Sequence, residues 1–379
     1  MREVELKVLD TLTDIPPKDW DALTDSNPTL SHAFLQSMID AGCTTAKTGW
    51  LPQFLTLWRD IEGQQSLCGA VPLYVKSHSY GEYVFDWAWA EAYQHHGLEY
   101  YPKLLSAVPF TPCSGGRLLA KTSADRKILV DGLISLAEQS DVSSLHVLFP
   151  HDDDQQLLMD AAMMPRTSIQ FHWQNADYKS FDDFLATMSH DKRKKVKQER
   201  RKVQEAGITF RRLVGNEITD ADWDFFVGCY DHTYRAHFST PYLNRTFFGL
   251  IGKRMPENVL LIIAEHEGKA IASAFNVFSQ HTLYGRYWGG LAFHSGLHFE
   301  TCYYQALEFC ITRGIQVFEG GAQGEHKLAR GFLPVKCRSA HWLKHPRFAK
   351  AVEDFLQRES GGMEKYVTEL GESSPFKSP

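Results

Sequence analysis

The densest grouping of proton-moving and anion-holding side chains in this chain is Glu319-Gly320-Gly321-Ala322-Gln323-Gly324-Glu325-His326-Lys327-Leu328-Ala329-Arg330-Gly331. Three glycines in five residues, Gly320 to Gly324, let a ligand come close to the backbone. A carboxylate, an imidazole, an ammonium and a guanidinium follow at once. If the segment turns helically, His326 and Arg330 share a face. A charged turn with structural glycines is the plain alternative. Four ionisable types just past a predicted strand favour a site that handles protons and anions.

A second grouping is cationic. Within Asp191–Lys202, eight cations stand against two carboxylates, a local excess of +6 in a chain of net charge −6. Arg193, Lys197, Arg200 and Arg201 fall at i, i+4, i+7 and i+8, one face of a helix, with Val196 and Val203 anchoring another. Charge runs are usually solvated. At this density a polyanionic partner, phosphate, CoA or RNA, is the better reading. The third grouping lies in the first half: Glu91-Ala92-Tyr93-Gln94-His95-His96, then Tyr100-Tyr101-Pro102-Lys103 and Arg117. Adjacent histidines suggest a metal, but no further ligands stand at a recognisable spacing, so the expectation is no metal. Hydrogen-bonding residues beside a tyrosine-rich pocket fit better. No G-x-S-x-G, Walker or dinucleotide fingerprint occurs.

These groups need two domains to carry them. Asp19-Trp20-Asp21, Glu62-Gly63, Tyr80-Gly81 and Tyr100-Tyr101 recur as Asp222-Trp223-Asp224, Glu267-Gly268, Tyr284-Gly285 and Tyr303-Tyr304, at offsets of 203, 205, 204 and 203 residues. Ordered matches at so long a period point to a duplicated domain. The length of 379 residues fits two cores. In the second half, Thr219 to His237 reads as a helix capped by Thr219 or Asp220. Val259–Ala264, Ala270–Phe278 and Thr282–Trp288 read as an antiparallel meander turning at Glu267-Gly268. Phe299, Cys302, Tyr303, Ala306, Leu307 and Cys310 form a helical stripe ending near Gly314, and Ile315–Phe318 returns as a strand. The first half repeats this more loosely: strands near 54–59, 67–76 and 80–89, then a helix beginning near Tyr100. We place the domains at 1–172 and 173–379, with the basic helix at 191–206. A further helix near 346–358 could pack back on the first domain, before a polar, frayed tail from Ser360.

The seven cysteines are scattered, odd in number and without a C-x-x-C pair, as expected of reduced thiols. The charged, alternating N-terminus is no signal peptide, and no run approaches about 18 apolar residues. These features predict a soluble cytoplasmic protein.

The blocks Tyr100–Pro112, Lys192–Val203 and Glu319–Gly331 resemble the FemAB-like predicted N-acyltransferases, tandem GNAT-fold proteins related to the Fem ligases. The resemblance covers nearly the whole chain. It implies an α+β fold of two tandem GNAT-like domains with mixed, mainly antiparallel sheets. It also implies transfer of an acyl or aminoacyl group from acyl-CoA or aminoacyl-tRNA to an amine, with no tightly bound cofactor. One departure stands out: the GNAT pyrophosphate loop, R/Q-x-x-G-x-G/A, is replaced by Gly289-Gly290-Leu291-Ala292-Phe293-His294-Ser295-Gly296-Leu297. Acyl transfer to an amine needs a base and oxyanion donors. Glu325 or His326 is the expected base, Lys327 and Arg330 the electrostatic stabilisers or clamps, and the amides of Gly320–Gly324 possible oxyanion donors. Tyr93, His96, Tyr101, Lys103, Arg117, Tyr287, Gln323 and Arg330 are the expected substrate-binding residues, and Arg193, Lys197, Arg200 and Arg201 the expected donor site. The rival reading is a non-catalytic RNA-binding or scaffolding protein that keeps the fold.

Overall fold

The computed structural model describes residues 4–321 and 324–377. Its backbone forms two compact units, Met1–Ser168 with Lys336–Tyr366, and Ile169–Val335 with Val367–Pro379.

The first unit opens with β1 (Val4–Leu9), α1 (Pro17–Asp21) and α2 (His32–Asp40). A long bent hairpin follows: β2 (Trp50–Pro52) continues as β3 (Phe54–Ile61), and β4 (Gln64–Val71) continues as β5 (Leu73–Lys76). At its tip Glu62 and Gly63 have φ of 58° and 82°, the left-handed pair that a two-residue hairpin turn requires. Then come α3 (Trp87–His95), β6 (Lys103–Ser106), β7 (Leu119–Ala120), α4 (Ser123–Gln139), β8 (Ser144–Leu148) and α5 (Asp152–Asp160); β9 (Met164–Gln174) begins in this unit and runs on into the second. One sheet runs β1-β3-β4-β7, while β2, β5, β6 and β8 pair in that order in a second, β6 parallel to β8. Leu129 and Leu133 of α4 pack on Leu55, Leu57, Leu145 and Val147, closing the core.

In the second unit α6 (Phe181–Thr187) and α7 (His190–Glu205) precede β10 (Ile208–Val214), α8 (Asp220–Ala236), α9 (Arg245–Arg254), β11 (Val259–His266), β12 (Lys269–Phe278) and β13 (Thr282–Gly290). Thr219 caps α8 in a reciprocal capping box with Asp222. A helix starts as α10 (Leu297–Phe299), passes through a π turn at Glu300–Tyr304 and continues as α11 (Gln305–Arg313), ending on left-handed Gly314. β14 (Val317–Glu319) then lies parallel to β13, the other neighbours in the order β10-β11-β12-β13-β14-β9 being antiparallel.

Two late elements belong mainly to the first unit. β15 (Leu333–Leu343) pairs with β8, and α12 (Pro346–Glu372) sets Val352 and Leu356 among Trp89, Tyr93 and Tyr100. The tail expected to fray after Ser360 is helical instead. Met363, Tyr366, Val367 and Leu370 keep the i, i+3, i+4, i+7 spacing of an apolar stripe.

The repeat is real in element order but not in all four of its matches. Trp20 and Trp223 both sit on the first of the two α-helices that precede the hairpin, and Glu62-Gly63 and Glu267-Gly268 both turn it. The expected strand at 80–89 and the helix near Tyr100 are absent. Residues 77–102 are an insertion holding α3, where the second unit joins β12 to β13 by Ser279-Gln280-His281 alone. Tyr80-Gly81 is therefore a turn while Tyr284-Gly285 is strand, and Tyr100-Tyr101 precedes β6 while Tyr303-Tyr304 lies in the π turn.

Candidate active site

β13 and β14 stay paired for three residues only, Thr282 to Val317, Leu283 to Phe318 and Tyr284 to Glu319. Beyond that point β13 continues along β12, whereas Gly320 turns away and donates its amide to the Phe171 carbonyl at 2.9 Å. A cavity of 300 Å³ is lined by Gly285, Arg286, Tyr287 and Trp288 on one side, by Phe318 and Gly320 on the other, and by His298, Cys302 and Tyr303 of the helix. Two irregularities converge on it. The β12–β13 register slips between Phe275 and Asn276, leaving Arg286 as the extra residue; such bulges re-aim side chains and gather beside active sites. The π turn carries Cys302 and Tyr303 to the wall. Opposite the bulge, Asn276 lines the cavity at 2 % exposure, and its amide nitrogen finds no hydrogen-bond partner among the described residues. An unmet buried donor costs about 1–3 kcal/mol, which a bound acceptor would offset.

The Glu325–Arg330 segment is a 3₁₀ helix held between left-handed Gly324 and Gly331. Glu325 and His326 are exposed, whereas Lys327 and Arg330 are buried. His326 Nε2 lies 3.2 Å from the Tyr303 hydroxyl, which puts it beside the cavity. Lys327 Nζ donates to the Gly321 carbonyl at 3.3 Å, and burial pulls its ammonium down to about 8. Burial also lowers His326, helped by the charges of Arg330 and Lys327, and brings His298 down to about 4. Neutral imidazoles and an amine that ionises near 8 can accept protons at physiological pH.

Arg330 is not the open anion clamp expected from the sequence. Its guanidinium lies 3.3 Å from the Phe299 ring centroid, donates to Glu199 at 2.7 Å and to the His326 carbonyl at 2.5 Å. Glu199 also accepts from the Tyr304 hydroxyl at 2.5 Å. The arginine therefore ties α7, α10 and the 3₁₀ helix together, and Glu199 extends the link to Tyr304 of the π turn. The Gly320 amide, taken by Phe171, is removed from the expected oxyanion donors, and Gln323 lies outside the described residues.

On α7, Arg193, Lys197 and Arg201 line a 530 Å³ groove with His190, Lys194 and Gln198, and among the described residues no carboxylate lines it. Among the described residues Lys197 and Arg201 make exposed pairs, with Asp182 at 3.3 Å and Glu205 at 3.7 Å. Arg200 departs from the expected face. It points inward to Glu300 at 2.9 Å and Glu308 at 2.7 Å, over the Phe181 ring. The cause is periodicity, since residue 200 shares its stripe with buried Val196 and Val203.

The first-unit candidates scatter. Lys103 is wholly buried and donates to Ser79 at 2.7 Å, to Glu82 at 2.8 Å and to Asp86. Arg117, also wholly buried, spends its donors on the carbonyls of Leu148, Cys113 and Gly116 at 2.8, 2.7 and 3.1 Å. Both are internal struts, not ligand contacts. His96 is exposed, with Nδ1 2.8 Å from the Ala92 carbonyl. Tyr93 and Tyr101 line a separate cavity of the first unit. The structure thus gathers Tyr287, His326 and Lys327 in the second unit and adds Asn276, His298, Cys302 and Tyr303. Cys302 and Tyr303 read as helix packing in the sequence; Asn276 carried one signal, a lone amide in an apolar strand. Among the described residues no group of His, Cys, Asp and Glu could hold a metal ion, and no helix is long and apolar enough to cross a membrane.

Among solved structures, the chain resembles FemX at 10 % identity and a TM-score of 0.56, covering 90 % of this chain and 99 % of FemX. It also resembles a conserved protein of unknown function from Bacteroides thetaiotaomicron at 13 % identity and a TM-score of 0.50, covering 90 % of this chain and 100 % of that one. At such identities the likeness is one of fold, here α+β with mixed, mainly antiparallel sheets. No curated protein matches. The FemAB-like family, described by peptidoglycan biosynthesis/recognition, matches residues 11–378. The chain belongs to the FemAB-like family of acyl and aminoacyl transferases.

Proposed function

We propose that this protein is an N-acyltransferase that moves an acyl or aminoacyl group from a carrier to an amine, and that the wedge between β13 and β14 is where the group moves. The observation that carries the reading is the unpartnered Asn276 amide in a cavity flanked by a bulged strand and a π turn. The donor carbonyl oxygen accepts the Asn276 hydrogen bond. The acceptor nitrogen attacks the carbonyl carbon and forms the new C–N bond, and the carrier C–O or C–S bond breaks. The amine proton passes to His326 or Lys327, and the carrier oxygen or sulfur leaves with a proton. Glu325, exposed one residue before His326, orients or relays that proton. An oxyanion donor supplies roughly 10²–10³-fold in rate and a general base roughly 10²–10⁴-fold.

The α7 groove, with Arg193, Lys194, Lys197 and Arg201, suits a carrier rich in phosphate. Aminoacyl-tRNA fits better than acyl-CoA. The loop before α10 lacks the usual pyrophosphate pattern, and a Cβ on its Gly296 would stand 3.2 Å from the Glu199 carbonyl of α7, so little room remains there. A carrier of that kind implies a cytoplasmic protein, and the family description suggests a peptidoglycan-related amine as acceptor. Melting the protein with bulk aminoacyl-tRNA or acetyl-CoA, at several salt concentrations, tests the carrier. Aminoacyl-tRNA should raise the melting temperature, and less so as salt rises. A shift with acetyl-CoA alone would reverse the choice of carrier; tRNA binding without transfer to any amine would favour the non-catalytic RNA-binding role.

A further inference from the structure

The first unit holds its own cavity, 440 Å³ in volume, whose walls include Tyr93, Glu99, Tyr101, Asp141, Lys344 and His345. Two buried polar atoms of these walls, the Tyr93 hydroxyl and His345 Nδ1, find no hydrogen-bond partner among the described residues. Tyr93 is 3 % exposed, and burial pushes its phenol up to about 12, so it stays neutral. Its ring is fixed between Phe348, at 4.0 Å between centroids, and Tyr100, at 5.2 Å. The hydroxyl therefore cannot swing out to water, and leaving it unmet costs about 1–3 kcal/mol. The cation of the walls, Lys344, is tied back to the Ser140 carbonyl at 2.8 Å. What remains is the pair of exposed carboxylates of Glu99 and Asp141, with two groups able to accept, the phenol oxygen and, when Nε2 carries the proton, the imidazole Nδ1, beside the aromatic walls of Tyr93 and Tyr101.

Acceptors with aromatic walls recognise a cation on an apolar stem. We propose that this cavity binds a primary ammonium carried on an alkyl chain, either a free diamine or a lysine side chain. The ammonium sits between the Glu99 and Asp141 carboxylates and donates one hydrogen bond to the Tyr93 oxygen. The site stands on its own residues and does not depend on the acyl-transfer reading.

Isothermal titration of the full chain with cadaverine, with Nα-acetyl-lysine methylamide and with glutarate tests it. Both amines, or one of them, should bind saturably at one site, and glutarate should not. Stronger binding of the lysine derivative identifies a peptide source, stronger binding of cadaverine a free amine. Glu99→Gln with Asp141→Asn should weaken binding at least tenfold. Tyr93→Phe should weaken it roughly two- to tenfold, as loss of one hydrogen bond implies. The same Tyr93→Phe change should raise the melting temperature of the free protein, because it deletes a buried hydroxyl without a partner. A tyrosine with a merely structural role would give the opposite sign. The proposal fails if neither amine binds, if the double carboxamide variant binds as well as the wild type, or if Tyr93→Phe lowers the melting temperature.

Discussion

Arg330→Ala should act through stability before it acts on ligand binding. The guanidinium is 2 % exposed, ion-paired to Glu199 at 2.7 Å and packed on the Phe299 ring. Truncation leaves the Glu199 carboxylate with the Tyr304 hydroxyl and, among the described residues, no paired countercharge. Removing one partner of a buried pair costs about 3–5 kcal/mol. For a unit of this size that is a drop of roughly 6–20 °C in melting temperature. Arg330→Met combined with Glu199→Gln deletes both charges and keeps the volume, so most of the loss should be recovered, to within about 1–2 kcal/mol of the wild type. Urea unfolding followed by tryptophan fluorescence and far-UV circular dichroism gives the midpoints for the wild type, Arg330→Ala and the double variant. A wild-type midpoint in Arg330→Ala, together with weakened binding of a polyanion, would refute the ion-pair account and restore the open clamp.

Three further outcomes follow from the geometry. Burial holds His146 down to about 3 and His341 well below its usual range, and lowers His172 and His298 to about 4. The unfolded chain therefore takes up more protons below about pH 6.5, and stability present above that pH should fall as the pH drops toward 4, by about 1.4 kcal/mol per unit for each histidine. His146→Gln with His341→Gln should flatten that slope, and an unchanged slope in denaturant titrations at several pH values would count against it. Charge reversal at Arg193, Lys194 and Arg201 should weaken tRNA binding and reduce its salt slope while the melting temperature barely moves; unchanged affinity by filter binding would leave that groove as plain solvated surface. If neutral Lys327 takes the proton, transfer rates should rise with pH through about 8, and Lys327→Met should lower them by roughly 10²-fold or more and abolish that rise.

Local rules made much of this legible in the sequence. The meander, the α8 cap, the basic helix and the hairpin tips depend on neighbours a few residues away, so periodicity and turn chemistry found them. The insertion holding α3 escaped because aromatic Tyr80–Trp89 reads as strand, while its Glu82 and Asp86 are drawn inward by Lys103. Nothing local signals that pull. Arg330 and Glu199 lie 131 positions apart in sequence, so the residue type was visible and its partner was not. The inward turn of Arg200 toward Glu300 and Glu308 escaped for a subtler reason: a cationic run hides which of its members lies over the two buried valines. Asn276 becomes informative only when a bulge and a missing partner are seen together.

The most direct test of the central claim is transfer itself, measured under single turnover. Radiolabelled bulk aminoacyl-tRNA is offered with amine-bearing peptidoglycan precursors to the wild type and to Asn276→Ala. Because the Asn276 amide nitrogen has no partner to lose among the described residues, the variant should melt at or above the wild-type temperature. Its transfer rate should nevertheless fall by roughly 10²–10³-fold, with the apparent affinity for tRNA unchanged. A folded Asn276→Ala protein that transfers label at the wild-type rate would contradict the placement of the chemistry in the β13–β14 wedge.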